Sequence, residues 1–154
     1  MTDDTKIMLV NMTTGSLSVK EKLETQAKNE FSIAAAAVME EEEKLDKLIA
    51  RREEYRDLLR RLQQGELDFK GIKEATESVN AMKYLIEDQR QVLSKAEKLL
   101  ELKRVALAEA VKEVKTHEKL KEKEFIQFMA DEASRESKEI DELVSYRFGQ
   151  KEEE

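Results

Sequence analysis

The sequence contains no proline and no cysteine, and only four of its 154 residues are glycine. Proline costs about 3 kcal/mol inside a helix, so its absence indicates that helix runs through nearly the whole chain. Without cysteine the chain has neither a disulfide framework nor thiolate chemistry. Aromatic residues make up only 5% of the chain and tryptophan is absent, so we expect the apolar residues to lie along helix seams rather than in a large globular core.

Charge and hydropathy exclude further classes. The 35 acidic residues outnumber the 28 basic ones and give a net charge of −7, which argues against a surface that follows nucleic-acid phosphates. The apolar run Ile7–Val10 is too short for a signal-peptide core or a membrane span. We therefore predict a cytoplasmic protein with no nucleic-acid partner and no small-molecule substrate.

The glycines leave two long uninterrupted stretches, which predict two helices joined by a turn. A capping box formed by Ser18 and Glu21 marks the expected start of the first helix. The predicted divisions are an N-terminal segment over residues 1–17 that need not be ordered, a helix over 18–64, a turn over 65–71, a helix over 72–147 and a disordered charged tail over 148–154.

Apolar residues recur every three or four positions in both predicted helices, which is the heptad pattern of a coiled coil. The predicted fold class is therefore all-α, a long antiparallel two-helix coiled coil or helical hairpin. The first seam comprises Ala27, Phe31, Ala34, Val38, Leu45, Leu48, Tyr55, Leu59 and Leu62, interrupted by Glu41 and Arg52. The second comprises Val79, Met82, Ile86, Gln89, Leu93, Ala96, Leu100, Leu107, Ala110 and Val114, widened by Leu85, Val92, Leu99 and Val111.

Opposite charges four residues apart indicate the helix faces that meet solvent, because such pairs are neighbours on a helix surface. The predicted pairs are Glu40 with Lys44, Glu43 with Lys47 and Asp57 with Arg61.

The second predicted helix is longer than the first and extends past it. Folding back at the turn pairs residues whose numbers sum to about 136, because both helices rise equally per residue. The first helix then ends at Leu17, opposite about Lys119. Two interpretations stay open for the apolar residues beyond that point: they bind a partner, or residues 1–16 cover them.

Candidate catalytic and metal-binding residues are scarce. His117 is the only histidine, and its surroundings lack the second histidine of a zinc motif. Neither Gly65 nor Gly71 is followed by the Lys-Ser or Lys-Thr of a phosphate-binding loop. A helix pair also offers no enclosed cleft that could shift the pKa values of paired carboxylates. We predict no catalytic residues, no cofactor and no metal site.

Four stretches of the sequence resemble the flagellar FliJ family, and their order and spacing cover about residues 18–147. The resemblance implies a soluble, stalk-like component of the flagellar type III export apparatus. Such a component binds and activates the hexameric export ATPase, links it to the cytoplasmic domain of the membrane export gate and, in some members, escorts export chaperones. It would associate peripherally with the cytoplasmic face of the inner membrane through the gate. The stretches are EEKLDKLIARREEYRDLL at 42–59, VNAMKYLIEDQ at 79–89, EVKTHEKLKEK at 113–123 and KEIDEL at 138–143.

Residues are also predicted for two binding surfaces, the gate surface from the resemblance and the ATPase-ring surface from the apolar extension of the second helix. Lys44, Arg51 and Ser78 stand at further positions of the gate surface, and the last two replace expected aromatic residues. The gate surface itself maps to Leu48, Tyr55, Met82, Leu85 and Gln89, all of which the heptad pattern also explains as seam or seam-flanking residues. The hypothesis for the ATPase ring names apolar residues of the extended second helix, Phe125, Phe128, Met129, Ile140 and Leu143.

Three alternatives remain beside this interpretation. The first is the equivalent stalk of a virulence type III secretion system. The second is a structural coiled coil that pairs as a homodimer, although the break at residues 65–71 fits a hairpin better. The third is a holding chaperone of prefoldin type, although no alternating β-like segment lies beside the turn.

Overall fold

The computed structural model describes residues 3–152 and contains two α-helices. Helix α1 spans Asp3–Leu62 and helix α2 spans Phe69–Glu152, and the described residues include no β-strand. The helices run antiparallel, since Glu41 contacts Gln89 whereas the earlier Glu30 contacts the later Lys103. The predicted all-α helical hairpin is confirmed.

The chain forms two compact units, and each contains part of both helices. The loop unit spans Gln26–Ala108 and includes the connection between the helices. The terminal unit combines the residues up to Thr25 with those from Glu109 onward.

In the loop unit the predicted seam is buried between the helices. Ala34 and Val38 of α1 and Ile86 of α2 are buried, and Ile86 has the lowest exposure of the core at 1%. The same seam includes Ala75 of α2, which is also buried but was not among the predicted positions. Three residues that widen the predicted stripe are 44–46% exposed and therefore lie beside the seam rather than in it: Leu85, Val92 and Leu99.

In the terminal unit, α1 begins at Asp3, so the prediction that the first helix starts at Ser18 is wrong. The capping residues Ser18 and Glu21 lie inside the helix. Within this helix the Thr13 hydroxyl donates to the Leu9 carbonyl oxygen at 2.9 Å, and the Thr14 hydroxyl donates to that of Val10 at 3.0 Å. Buried Leu17 then anchors this part of α1 against α2.

The connection between the helices lies earlier than predicted, over residues 63–68 rather than 65–71, because α1 ends at Leu62 rather than at residue 64 and α2 begins at Phe69 rather than at residue 72. Asp68 caps the helix: its Oδ1 accepts a hydrogen bond from the Gly71 amide at 3.0 Å, and its carbonyl oxygen accepts one from Ile72 at 2.9 Å. Gly65 adopts a φ of 108°, which side chains other than glycine rarely tolerate.

The C-terminal end of α2 extends past the predicted boundary at residue 147. Residues 148–152 of the predicted disordered tail are helical, and the Gln150 side chain donates to the Tyr146 hydroxyl at 2.8 Å within this turn. Residues 153–154 of that tail, like residues 1–2 of the N-terminal segment, lie outside the described residues.

Two of the three predicted surface ion pairs form, Glu40 with Lys44 at 3.3 Å and Glu43 with Lys47 at 3.2 Å. The third is different, because Asp57 pairs with Arg60. Arg60 can replace Arg61 because residues three apart are also neighbours on a helix. Arg61 instead donates from Nε to the Asp57 carbonyl oxygen at 3.4 Å.

Candidate partner-binding surfaces

The register of the loop unit is fixed by a polar contact in the seam. Gln89 Nε2 donates to both the backbone carbonyl and the carboxylate of Glu41, at 3.1 and 2.5 Å. This hydrogen bond, helped by Lys44, holds the pKa of Glu41 below its usual value. One heptad along each helix, the same register places Leu48 opposite Met82. Pairing residues whose numbers sum to about 136 predicted that Glu41 faces a residue of α2 farther from the connection than Gln89. The prediction differs because the turn was expected at later residues.

The predicted export-gate residues all lie in the loop unit, and most of them are partly used by the helix pair. Leu48, Tyr55, Met82 and Gln89 are half-buried, whereas Leu85 is 45% exposed. The structure therefore leaves Leu85 as the most accessible member of this set.

Arg51, which departs from the family pattern, is positioned by Tyr55. Its Nε and Nη2 both lie 3.4 Å from the Tyr55 hydroxyl, to which they donate. The guanidinium carbon is also 5.8 Å from the centroid of the Tyr55 ring, within the range of a cation–π contact. Arg51 thus supplies a positive charge at the edge of the predicted gate surface.

In the terminal unit, the N-terminal part of α1 covers one face of α2. Lys20 forms an ion pair with Glu113 at 2.5 Å, and this pair holds the pKa of the Glu113 carboxyl below its usual value. Further contacts toward the termini join Ser16 with His117, Thr13 with Glu124, Lys6 with Asp131 and Asp3 with Arg135.

His117, the only histidine, takes part in this helix contact. Its Nδ1 lies 3.4 Å from the Ser16 hydroxyl oxygen, and the residue is half-buried. Among the described residues no group of three or more His, Cys, Asp or Glu side chains is arranged to hold a metal ion.

The predicted ATPase-binding residues divide between covered and open faces. Phe128 is half-buried and lines a groove with Lys6 and Val10 of α1, so it belongs to the helix contact. By contrast Phe125 and Met129 are 57% and 52% exposed. The covering interpretation therefore holds for Phe128, whereas partner binding by the exposed apolar residues stays a prediction.

Arg135 of α2 contacts Asp3 of α1, and every residue of α2 from 136 to 152 is exposed. Ile140 and Leu143 of the predicted set are 60% and 63% exposed there. Ile140 belongs to a longer pattern that the sequence prediction did not separate from the rest of the set, although the three- and four-residue spacing was its signal. On the face of α2 that points away from α1, this outer stripe comprises Ile126, Met129, Ala133, Ile140, Val144 and Phe148.

The family model described as flagellar FliJ protein matches residues 17–153. The chain belongs to the FliJ family. This membership makes it a component of the type III protein export apparatus. No helix in the described part of the FliJ-family chain has an apolar stretch of the length needed to cross a membrane.

A solved structure of a putative YscO homolog from Chlamydia trachomatis has the same fold, with a TM-score of 0.60. The two chains are 18% identical, and the match covers 95% of this chain and 94% of the other. No curated protein matches the sequence at a significant level.

Proposed function

We propose that this FliJ-family protein is a stalk-like component of the flagellar export apparatus, and that it binds and activates the hexameric export ATPase through the outer stripe of α2. The observation that supports this proposal is the exposure of large apolar side chains, including Ile140 and Phe148, along a helix face that the described part of α1 does not cover. Contiguous apolar surface of this kind usually marks a protein-binding site.

The outer stripe has the chemical character of a protein interface. Fully burying a side chain such as Ile140 or Phe148 contributes about 1.5–3 kcal/mol, so each residue of the stripe that a partner covers would favour association. The charged residues Arg147 and Lys151 lie beside Val144 and Phe148 and would form the polar rim.

The gate contact is a second part of the proposal and belongs to the loop unit. The proposed surface comprises Leu48, Tyr55, Met82, Leu85 and Gln89. Exposed Leu85 is its entry point, because the neighbouring seam residues are half-buried. Val92 and Leu99 continue the apolar flank at seven-residue spacing and would extend the contact along α2.

These two contacts give the protein its proposed location and mechanism. Binding to the gate would hold the chain peripherally at the cytoplasmic face of the inner membrane. Binding of one protein to both the ATPase and the gate couples them without a chemical reaction of its own. Escort of export chaperones is a further proposed activity.

The ATPase contact is tested by steady-state ATP hydrolysis of the export ATPase from the same organism. We expect the intact chain to stimulate hydrolysis, and the Ile140→Gln, Val144→Gln variant to lose that stimulation. The matched control is Ile33→Gln, Met39→Gln, which removes two apolar residues of the loop unit that are 71% and 69% exposed.

Absence of stimulation and of co-elution with the intact chain would refute the ATPase contact. Equal activity of the outer-stripe and control variants would refute its position on α2. Stimulation of a virulence-system ATPase, but not of the flagellar one, would favour the alternative stalk.

The gate contact is tested by binding of the purified cytoplasmic domain of the export gate. Leu85→Glu should abolish binding, whereas Leu102→Glu, at a residue 67% exposed on the same helix, should leave it unchanged. Equal binding by both variants would remove the gate contact from this surface.

A further inference from the structure

One flank of the loop unit is basic although the chain as a whole is acidic. A groove of about 450 Å³ is lined by four cationic side chains and a single acidic one. The cations are Arg52, Arg56, Lys83 and Arg90, and the acid is Glu87. A positive groove on a chain with a net charge of −7 attracts anionic groups to one defined place.

Two of these cations have no partner within the described part of the chain. Lys83 and Arg90 form neither an ion pair nor a side-chain hydrogen bond there. The charges of Lys83 and Arg90 therefore stay available to a bound anion. Arg56, by contrast, contacts Glu53 at 2.8 Å.

Arg52 adds a further positive charge to the groove. It occupies a seam position, and its Nε lies 3.7 Å from a carboxylate oxygen of Glu53. That distance is too long for a hydrogen bond, so Glu53 neutralises the guanidinium only in part.

The remaining lining makes the groove amphipathic. Val79 and Ile86 of the seam form an apolar floor, and Tyr84, which is 71% exposed, lies at the rim. A ligand that combines carboxylates with apolar or aromatic groups would use each of these features.

The basic groove lies on the opposite flank of the seam from the predicted gate surface. Lys83 directly follows the seam residue Met82, whereas Leu85 directly precedes the seam residue Ile86. In a coiled-coil helix, the position directly after one seam residue and the position directly before the next lie on opposite sides of the seam. The groove is therefore a separate surface, and the proposal on it does not depend on the ATPase or gate contacts.

We propose that this groove binds an acidic segment of a partner protein. Arginine side chains donate two parallel hydrogen bonds to a carboxylate, which suits aspartate and glutamate side chains. A short peptide fits the charge distribution better than nucleic acid does, because the same flank of α2 continues past Arg90 to Glu97. A long polyanion would meet that repulsion, whereas a short peptide would not.

The test is fluorescence anisotropy of labelled hexaglutamate with the full chain at low ionic strength. The groove variant Lys83→Gln, Arg90→Gln should raise the dissociation constant by about tenfold. The control variant Lys95→Gln, Lys98→Gln changes the net charge by the same amount outside the groove, and it should raise the constant less than about twofold. Circular dichroism of both variants verifies that the helices are retained.

Four outcomes would overturn the proposal. The first would be a failure of the intact chain to bind hexaglutamate. The second would be an equal weakening of binding in both variants, which would indicate general charge attraction. The third would be tighter binding of an oligothymidylate of the same length than of the peptide, which would indicate that the groove binds nucleic acid. The fourth would be light scattering in which the intact chain self-associates and the groove variant does not, which would indicate that the groove binds a second copy of the chain.

Discussion

The loop unit and the terminal unit use the same two helices in different ways. In the loop unit four residues are buried between the helices, Ala34, Val38, Ala75 and Ile86. In the terminal unit only Leu17 and Val114 are buried among the described residues. The loop unit thus buries more apolar residues in the helix contact than the terminal unit does, although both units leave large apolar side chains exposed.

Polar contacts take the place of apolar burial in the terminal unit. Ion pairs such as Lys20 with Glu113 and Lys6 with Asp131 join the helices there, and their side chains are 22–52% exposed. Exposed ion pairs contribute little to stability because water and salt screen them. We therefore expect the terminal unit to open more readily than the loop unit.

The largest expected effect separates buried from exposed isoleucine. Ile86→Ala in the loop unit should lower the free energy of unfolding by about 2–5 kcal/mol, because Ile86 is 1% exposed and its removal leaves a cavity. Ile140→Ala in the terminal unit should change it by less than about 0.5 kcal/mol, because Ile140 is 60% exposed. Urea unfolding followed by circular dichroism measures both values, and equal losses would contradict the division between the units.

A change in stability of intermediate size is expected when a glycine is replaced in each unit, Gly65 in the loop unit and Gly15 in the terminal unit. Gly65→Ala in the loop unit should lower the free energy of unfolding by about 1–2 kcal/mol, because its φ of 108° is strained for a side chain. Gly15→Ala in the terminal unit should raise it by about 0.5–1 kcal/mol, because Gly15 lies inside α1 and an added Cβ meets no atom within 4 Å. Thermal unfolding of both variants is the measurement, and a loss of stability in Gly15→Ala would contradict the helical N-terminus.

The smallest expected effect concerns the ion pairs across the helices. Hydrogen bonds from Lys20 and Lys103 hold the pKa values of Glu113 and Glu30 below their usual 4.5. The stability that these carboxylates contribute is present above pH 4.5 and is lost as the pH falls through their lowered folded-state pKa values. The melting temperature should therefore be lower at about pH 3 than at about pH 7.

Lys20→Gln tests whether this dependence comes from the terminal unit. It should lower the melting temperature slightly at about pH 7 and less at about pH 3, because the ion pair weakens as the pH falls toward the lowered pKa of Glu113. Lys95→Gln, at an exposed residue without a contact to α1, serves as the control. A loss of the same size at both pH values would show that the ion pair is not responsible.

The heptad pattern predicted the helical hairpin because seam residues such as Val38 and Ile86 repeat over many turns, and only a facing helix can bury them. The start of α1 could not be predicted in this way. Thr13, Thr14 and Gly15 have turn-like local preferences, and contacts with α2 override those preferences. The cap at Asp68 was recognisable in principle, since an aspartate before a helix is a common N-cap.

The candidate surfaces were predictable in part. The sequence located exposed apolar residues on α2, including Met129 and Ile140, but it grouped them with Phe128. Separating Phe128 from the others requires knowing which face of α2 the N-terminal part of α1 covers. The basic groove was not predicted, because Arg52 and Lys83 are far apart in sequence and only the helix pairing brings them to one flank.

Hydrogen–deuterium exchange of the chain, with and without the export ATPase, tests the central claim most directly. Residues 136–152 form a helix whose residues are all exposed, so their amides should exchange fast in the free chain. The account predicts that the ATPase slows exchange in this stretch and leaves the amides of the loop unit unchanged. Slowing confined to residues 48–89, with none in 136–152, would contradict the account.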